Sequence, residues 1–225
     1  MIEKTLAGFA LFEGMPADIL KEFVTLAVER RLSRGDTLFH QDDEGTEAFL
    51  IVSGAIRVER LNEDGGRVLL NILGPGEFFG ETALLTGNPR MAEAVAHNEA
   101  LLLVIRQNDF TKMLALHPLM SERLMRMISQ RLSRVSVKLE EVGLVPLKER
   151  LAGIIVDFAG RFGTDGCINI KLTQSDLAEL AISSREHINK LIKSWENEGI
   201  LRFNRGNIIV ITPDKLKELH KKDQL

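Results

Sequence analysis

The sequence predicts an α+β protein: a β-rich N-terminal part, one long helix, and a C-terminal winged helix-turn-helix. Three observations lead there. Between about Val28 and Arg106 the chain alternates short extended runs with Gly-rich turns, the pattern of an all-β sandwich or barrel. From Leu119 to Val142 there is no Gly or Pro, and Leu124, Ile128, Leu132, Val135, Leu139 and Val142 recur at helical spacing. Beyond Pro146, two helix-start signals ten residues apart are followed by a hairpin pattern.

Each element has its own local justification. Pro16 suits a first helical position, and Ile19, Leu20, Phe23, Leu26 and Ala27 then share one face. The strand runs are Phe49 to Val52, Ala55 to Arg60, Arg67 to Leu73, Ala92 to Val95 and Leu101 to Ile105, with turns at Ser53-Gly54, at residues 62–66 and at Gly74-Pro75-Gly76. The long helix is preceded by Pro118 and is expected to end at Gly143, with Pro146 completing a hinge. Its narrow apolar stripe, flanked by Arg123, Arg126, Arg131, Arg134, Glu140 and Glu141, suits a two-helix coiled-coil contact, while packing on its own domain stands as the plainer alternative. Past the hinge come a helix over Leu147 to Phe158, a turn at residues 160–166, a strand over Ile168 to Leu172, two short helices and the hairpin.

Composition bounds the function. The chain has 225 residues, 44% hydrophobic and 27% charged, enough for one or two domains with a real core. No apolar run approaches the roughly 18 residues of a membrane span, and Met1 to Thr5 does not begin a signal peptide, so a cytoplasmic location is expected. The single cysteine, Cys167, excludes an intrachain disulfide, a four-thiolate iron–sulfur cluster and a cysteine-rich zinc site. The formal charge of −3 looks unsuited to an acidic partner. It is unevenly spread, however: residues 146–225 hold 13 Lys/Arg and 11 Asp/Glu, residues 1–145 hold 16 and 21.

Two segments carry chemistry. Thr173-Gln174-Ser175-Asp176 and Ser183-Ser184-Arg185-Glu186 each begin a helix. At about 100° per residue, the second helix places Arg185, Glu186, Asn189, Lys190 and Lys193 on one side and Ile188, Leu191, Ile192 and Trp195 on the other. Arg, Asn and Glu are side chains that read base edges. A capping box between Ser183 and Glu186, or a solvated Glu186–Lys190 pair, is the structural alternative. The following hairpin reads as a wing, with Arg202 and Arg205 suited to phosphate contacts. The other segment runs from Gly76 to Ala92. Gly80 permits close backbone approach, Glu81 to Leu85 can form one helical turn with free N–H groups, Glu81 can accept from a sugar hydroxyl, and Arg90 offers a fork for phosphate oxygens. A Glu81 that merely starts a helix and pairs with Arg90 is the alternative.

The run Phe79-Gly80-Glu81-Thr82-Ala83-Leu84-Leu85, with Pro89-Arg90-Met91-Ala92 after it, resembles the phosphate-binding cassette of cyclic-nucleotide-binding domains. Cassette, long helix and winged helix-turn-helix with Ser184-Arg185-Glu186 together resemble the catabolite activator protein/FNR (Crp/Fnr) family of bacterial transcription regulators over nearly the whole chain. Helix-turn-helix docking by this family is itself a standard example. The resemblance implies a β-jelly-roll, cyclic-nucleotide-binding-like sensor over residues 1–116, a dimerisation helix and hinge over 117–145, and a DNA-binding domain over 146–225. It further implies that Glu81 binds the ribose 2′-hydroxyl and Arg90 the cyclic phosphate. Gly80 and Ala83 would admit the ligand, with Leu70, Thr82 and Met91 lining the pocket and Val135 and Ser136 completing it from the helix. Arg185, Glu186 and Lys190 would read the major groove, with Thr173 and Ser184 on DNA phosphates.

Three positions depart from the family pattern. Met91 stands where Ser, Thr or Ala is usual, Val135-Ser136 where cAMP-responsive members place Thr-Ser, and Ile182 where Gly is common in the helix-helix turn. A β-branched residue at positive φ is strained, so a rearranged turn is expected at Ile182. The resulting expectation is a homodimeric regulator, not an enzyme, with cAMP as allosteric effector, no required cofactor, and operator DNA and RNA polymerase as partners. Two alternatives differ. One keeps the DNA reader but responds to haem with a gas, to another small molecule or to nothing, with His40, His97, His117, His187 and His220 as the available imidazoles. The other, a metal-dependent β-barrel enzyme, needs convergent ligands that the barrel, with His40 and His97, does not supply.

Overall fold

A computed structural model describes residues 5–62 and 66–221, the side chain of Lys221 excepted. The N-terminal tetrapeptide and the tip of the turn at residues 62–66 lie outside the described residues, although Asn62 N–H and Gly66 C=O close that turn at 2.9 Å. The chain forms two compact units, Met1–Ser133 and Arg134–Leu225, divided within the long helix.

In the first unit a 3-10 turn (Ala10–Phe12) and helix α1 (Ala17–Leu26) precede the strands. Pro16 is the N-cap of α1 rather than its first residue, as its ψ of 150° requires. The strands are β1 (Val28–Leu32), β2 (Thr37–Phe39), β3 (Glu47–Ser53), β4 (Ile56–Leu61), β5 (Arg67–Leu73) and β6 (Phe78–Phe79), then β7 (Glu93–Ala96) and β8 (Ala100–Arg106). Helix α2 (Glu81–Thr86) falls between β6 and β7; α3 (Gln107–Leu116) and the long α4 (Pro118–Leu144) follow β8. Two four-stranded antiparallel sheets, ordered β1-β8-β3-β6 and β2-β7-β4-β5, make the sandwich.

The near-continuous apolar run of β3 has a direct cause: its sheet is buried on both faces. Phe49 and Ile51, with Leu102 and Val104, pack against Ile56, Leu73, Ala94 and Ala96 of the other sheet. Ala48 and Leu50, with Leu103 and Ile105, face helices α1, α3 and the start of α4 through Leu20, Phe23, Phe110, Met113, Met120 and Leu124. Each of these large side chains contributes about 2 kcal/mol by leaving water.

The second unit holds the rest of α4, then α5 (Leu147–Phe162), β9 (Gly163–Thr164) and β10 (Cys167–Ile168). Next come α6 (Gln174–Leu180), α7 (Arg185–Asn197), β11 (Leu201–Asn204), β12 (Asn207–Val210) and α8 (Pro213–Lys221). Strand order β11-β12-β10-β9 makes a small antiparallel wing sheet. Element ends differ from the sequence expectations at four further places. Gly143 lies inside α4, which ends at Leu144 because Pro146 disfavours helix in the residue before it. Pro118 is the first residue of that helix. Helix α5 continues through Gly160 to Phe162, its last turn held by buried Phe158 and Phe162. The strand expected over Ile168 to Leu172 pairs only at Cys167 and Ile168.

The turn between α6 and α7 is not rearranged. Ile182 takes φ +51°, and its N–H and that of Ser183 donate to Glu179 O (3.1 Å) and Ala178 O (2.8 Å). Its side chain is 53% exposed, so little packing offsets a left-handed conformation that costs an L-residue about 1–2 kcal/mol. Replacing Ile182 by Gly is therefore expected to raise stability by about 1 kcal/mol in urea unfolding; a lower midpoint would show that the isoleucine packs better than its exposure indicates.

Candidate functional site

In the cassette, backbone geometry comes first. Gly80 has φ +81° and ψ −3° and is the N-cap of α2. A Cβ there would meet Arg90 Nη1 at 2.9 Å and the Phe49 ring at 3.0 Å, so both conformation and space demand glycine. The loop before β3 seals the other side: Gly45 lies so close to Ala83 that no side chain fits. Asp42 N–H to Arg90 O and Arg90 N–H to Asp43 O, both 2.8 Å, hold Arg90 against that loop.

Arg90 is 5% exposed. Its Nη1 donates to Gly80 O at 2.9 Å and its Nη2 to Glu47 O at 2.6 Å, while the guanidinium carbon lies 4.3 Å from the Phe39 ring centre. Nε is buried with no hydrogen-bond partner. Burial pushes the guanidinium below its ordinary pKa, against the opposing pull of Glu47, Asp43 and Glu81.

Glu81, 3% exposed, does not pair with Arg90, so the self-contained pairing weighed from the sequence is not formed. Its Oε1 accepts from Arg131 Nη1 at 2.8 Å, and Arg131 Nη2 donates to Phe78 O at 2.8 Å. The other carboxylate oxygen, Oε2, is buried with no hydrogen-bond partner. Arg131 escaped the sequence reading because it was indistinguishable from the other charges flanking the α4 stripe; only packing turns it toward the cassette.

The cassette thus brings together Gly80, Glu81, Ala83 and Arg90. Thr82 is exposed, its Oγ1 3.4 Å from Glu81 Oε1. Leu70 on β5 and Met91 beyond Arg90 are exposed too. Val135 and Ser136 belong to the second unit, exposed on α4. A cleft of about 320 Å³, lined by Leu26, Val28, Arg30, Glu47, Val104, Arg106 and Asp109, shares only Glu47 with the contacts of Arg90. The imidazoles do not converge. His40 Nδ1 contacts Glu93 at 2.6 Å, His117 Nε2 contacts Glu22 at 2.9 Å, and among the described residues no group of three His, Cys, Asp or Glu is arranged to hold a metal.

In the second unit, α6 begins with Thr173 as N-cap: Asp176 N–H donates to its Oγ1 and Thr173 N–H to Asp176 Oδ2, a reciprocal capping box. Helix α7 is capped by Ser184, whose Oγ accepts from His187 N–H at 3.3 Å. The Ser183–Glu186 box is therefore absent, and the Glu186 carboxylate is not needed for the cap. Ile188, Ile192 and Trp195 are buried. Arg185, Glu186 and Lys190 are exposed on the opposite face; Asn189 is half-buried, with its Oδ1 enclosed and unpartnered. Arg205 (φ +49°) and Gly206 (φ +86°) form the two-residue wing turn, with Arg202 and Arg205 exposed.

Arg131→Met removes the cation paired with the buried Glu81 carboxylate while keeping most of the side-chain stem. It is expected to cost about 2 kcal/mol in urea unfolding, and the Arg131→Met/Glu81→Leu pair to cost less than the sum of its members. Simple additivity would show that the two groups are not coupled.

No helix among the described residues is long and apolar enough to cross a membrane. Residues 29–117 match the cyclic nucleotide-binding domain, and residues 149–219 the Crp-like helix-turn-helix domain. The chain is 26% identical over 219 residues to the CRP-like cAMP-activated global transcriptional regulator of Mycobacterium tuberculosis, covering 96% of this chain and 98% of that one. It is 28% identical over 214 residues to the cyclic AMP receptor protein of Thermus thermophilus, covering 95% and 98%. FixK2 from Bradyrhizobium japonicum shares the fold, with a TM-score of 0.77 at 20% identity over 86% of this chain and 96% of that one. A cyclic nucleotide-binding domain followed by a Crp-like helix-turn-helix domain, with cAMP-activated regulators similar over nearly the whole chain, shows what the fold serves: the chain is a Crp-like transcription regulator and belongs to the Crp/Fnr family.

Proposed function

We propose that the protein is a homodimeric, cytoplasmic transcription regulator whose binding to a two-fold operator, and so its action on RNA polymerase, is gated by cAMP. The observation that carries the effector reading is the pair of buried, unsatisfied atoms in one cassette, Glu81 Oε2 and Arg90 Nε. Buried polar groups without partners cost about 1–3 kcal/mol each. A ligand bearing both a hydroxyl and an anionic phosphate relieves both, and an anion near Arg90 offsets the burial that lowers its pKa. In this reading Glu81 takes the ribose hydroxyl and Arg90 the phosphate. Gly80 and Ala83 leave room, and Leu70, Thr82 and Met91 border the ligand.

The dimer reading rests on α4. Leu132 and Leu139 are 67% and 69% exposed in the single chain, and Val135 is 52% exposed on the same stripe, an apolar seam that a second copy of the helix covers. In the reader, Arg185, Glu186, Asn189 and Lys190 face base edges, while Thr173, Ser184, Arg202 and Arg205 contact phosphates. An effector shifts DNA affinity only by its preference for one of two arrangements.

The deciding experiment is a DNA titration at fixed salt with no ligand, with cAMP and with cGMP. Tighter operator binding with cAMP alone is expected; identical curves would overturn the effector assignment. Arg90→Ala is expected to abolish cAMP binding in calorimetry, and Arg185→Ala to weaken operator binding by about 1–3 kcal/mol with relaxed specificity at one guanine. Leu132→Glu with Leu139→Glu is expected to yield a monomer in sedimentation equilibrium; a surviving dimer would place the interface elsewhere.

A further inference from the structure

One guanidinium in the second unit reaches the ends of two helices. Arg150, in the first turn of α5, donates through Nη1 to Val145 O at 2.8 Å, immediately beyond α4. Through Nη2 it donates to Ala181 O at 3.1 Å, the C-cap of α6. Nη1 also lies 3.5 Å from Glu141 O in the last turn of α4.

The chemistry suits arginine specifically. The last carbonyls of a helix lack intrahelical donors and carry the negative end of the helix dipole. A planar cation with several donors in a fixed fork satisfies two such ends at once, whereas an ammonium is a point charge on a flexible stem. The two carbonyls are also mechanically placed. Val145 precedes Pro146, which separates α4 from α5. Ala181 precedes Ile182, the left-handed residue that sets the direction of α7. The backbone amides on either side bond locally: Val145 N–H to Glu141 O at 2.9 Å, Ile182 N–H to Glu179 O at 3.1 Å, and Ser183 N–H to Ala178 O at 2.8 Å.

We infer that Arg150 is a positioning residue that locks the elbow between α4 and α5 to the turn before α7, so that the reading helix follows the end of the long helix. The consequence for regulation rests on α7 being the DNA reader and α4 the effector-linked helix. Arg150 touches no DNA in this role; it transmits orientation through backbone carbonyls, which no side-chain substitution at Val145 or Ala181 would remove.

The test uses the full chain as wild type, Arg150→Lys and Arg150→Met, both keeping an aliphatic stem. Amide exchange is read at Val145, Ile182 and Ser183, with Ile192 in the core of α7 as internal reference. Loss of the bridge is expected to speed exchange roughly tenfold at both the elbow and the turn in each variant, with Ile192 unchanged. Wild-type rates in both variants, acceleration at only one place, or acceleration that includes Ile192 would overturn the proposal. A second readout is the ratio of affinities for a duplex selected by the wild type from a randomised pool and for a scrambled duplex, at one salt concentration. Arg150→Lys is expected to lower that ratio roughly tenfold, with scrambled-duplex binding retained; an unchanged ratio would overturn it. If the wild type selects no duplex, the DNA-reader assignment fails instead, while the exchange rates still decide whether Arg150 joins elbow and turn.

Discussion

Burying a carboxylate at Glu81 is the constraint around which the first unit is arranged. An ionised group with 3% exposure persists only when opposite charge or strong donors reach it. Here that donor comes from Arg131, fifty residues away in sequence, so α4 must lie against the cassette for the cassette to exist in this form. The same guanidinium holds Phe78 O, in the strand that leads into Gly80. Helix, strand and cassette are therefore tied at one point, and the helical core contacts of Met120 and Leu124 bring α4 to that point.

Arg90 illustrates the complementary condition. Its cation is enclosed, satisfied by two carbonyls and stacked on Phe39, yet one N–H is left without an acceptor. Glu81 is left with one unsatisfied oxygen. Fully satisfied polar networks rigidify a core, and the Thr173–Asp176 capping box is of that kind. The cassette instead keeps one buried donor and one buried acceptor without a protein partner.

The formal charge of −3 averages two unlike parts of the chain. The excess of acid lies in the unit that carries the cassette, and some of it is internally committed: Glu93 to Arg67 and His40, Glu59 to Arg57, Glu81 to Arg131. The outer face of α7 instead presents Arg185 and Lys190 to solvent, with Arg202 and Arg205 exposed on the wing. What matters for a polyanionic partner is this local field rather than the total.

Local chemistry was legible in the sequence wherever it acts within a few residues. The alternation of β-strand faces, the stripe of α4, the cap at Thr173 and the glycine at position 80 are all short-range demands of backbone geometry and burial, written in neighbouring residues. Helix ends were less legible, because Gly143 and Gly160 are tolerated inside helices when packing and the next proline set the limit. Ile182 shows the opposite override: the turn keeps a conformation that its own side chain disfavours, because the amides of Ile182 and Ser183 close onto α6. By itself, then, the sequence determined the succession of sandwich, helix and winged helix-turn-helix, and the residue types available for a sugar phosphate and for DNA. Only the tertiary structure decided that Glu81 pairs with Arg131 rather than Arg90, and that Arg150 joins two helix ends. Both bonds depend on charges meeting across long stretches of chain, and spacing along a sequence does not encode distance in space.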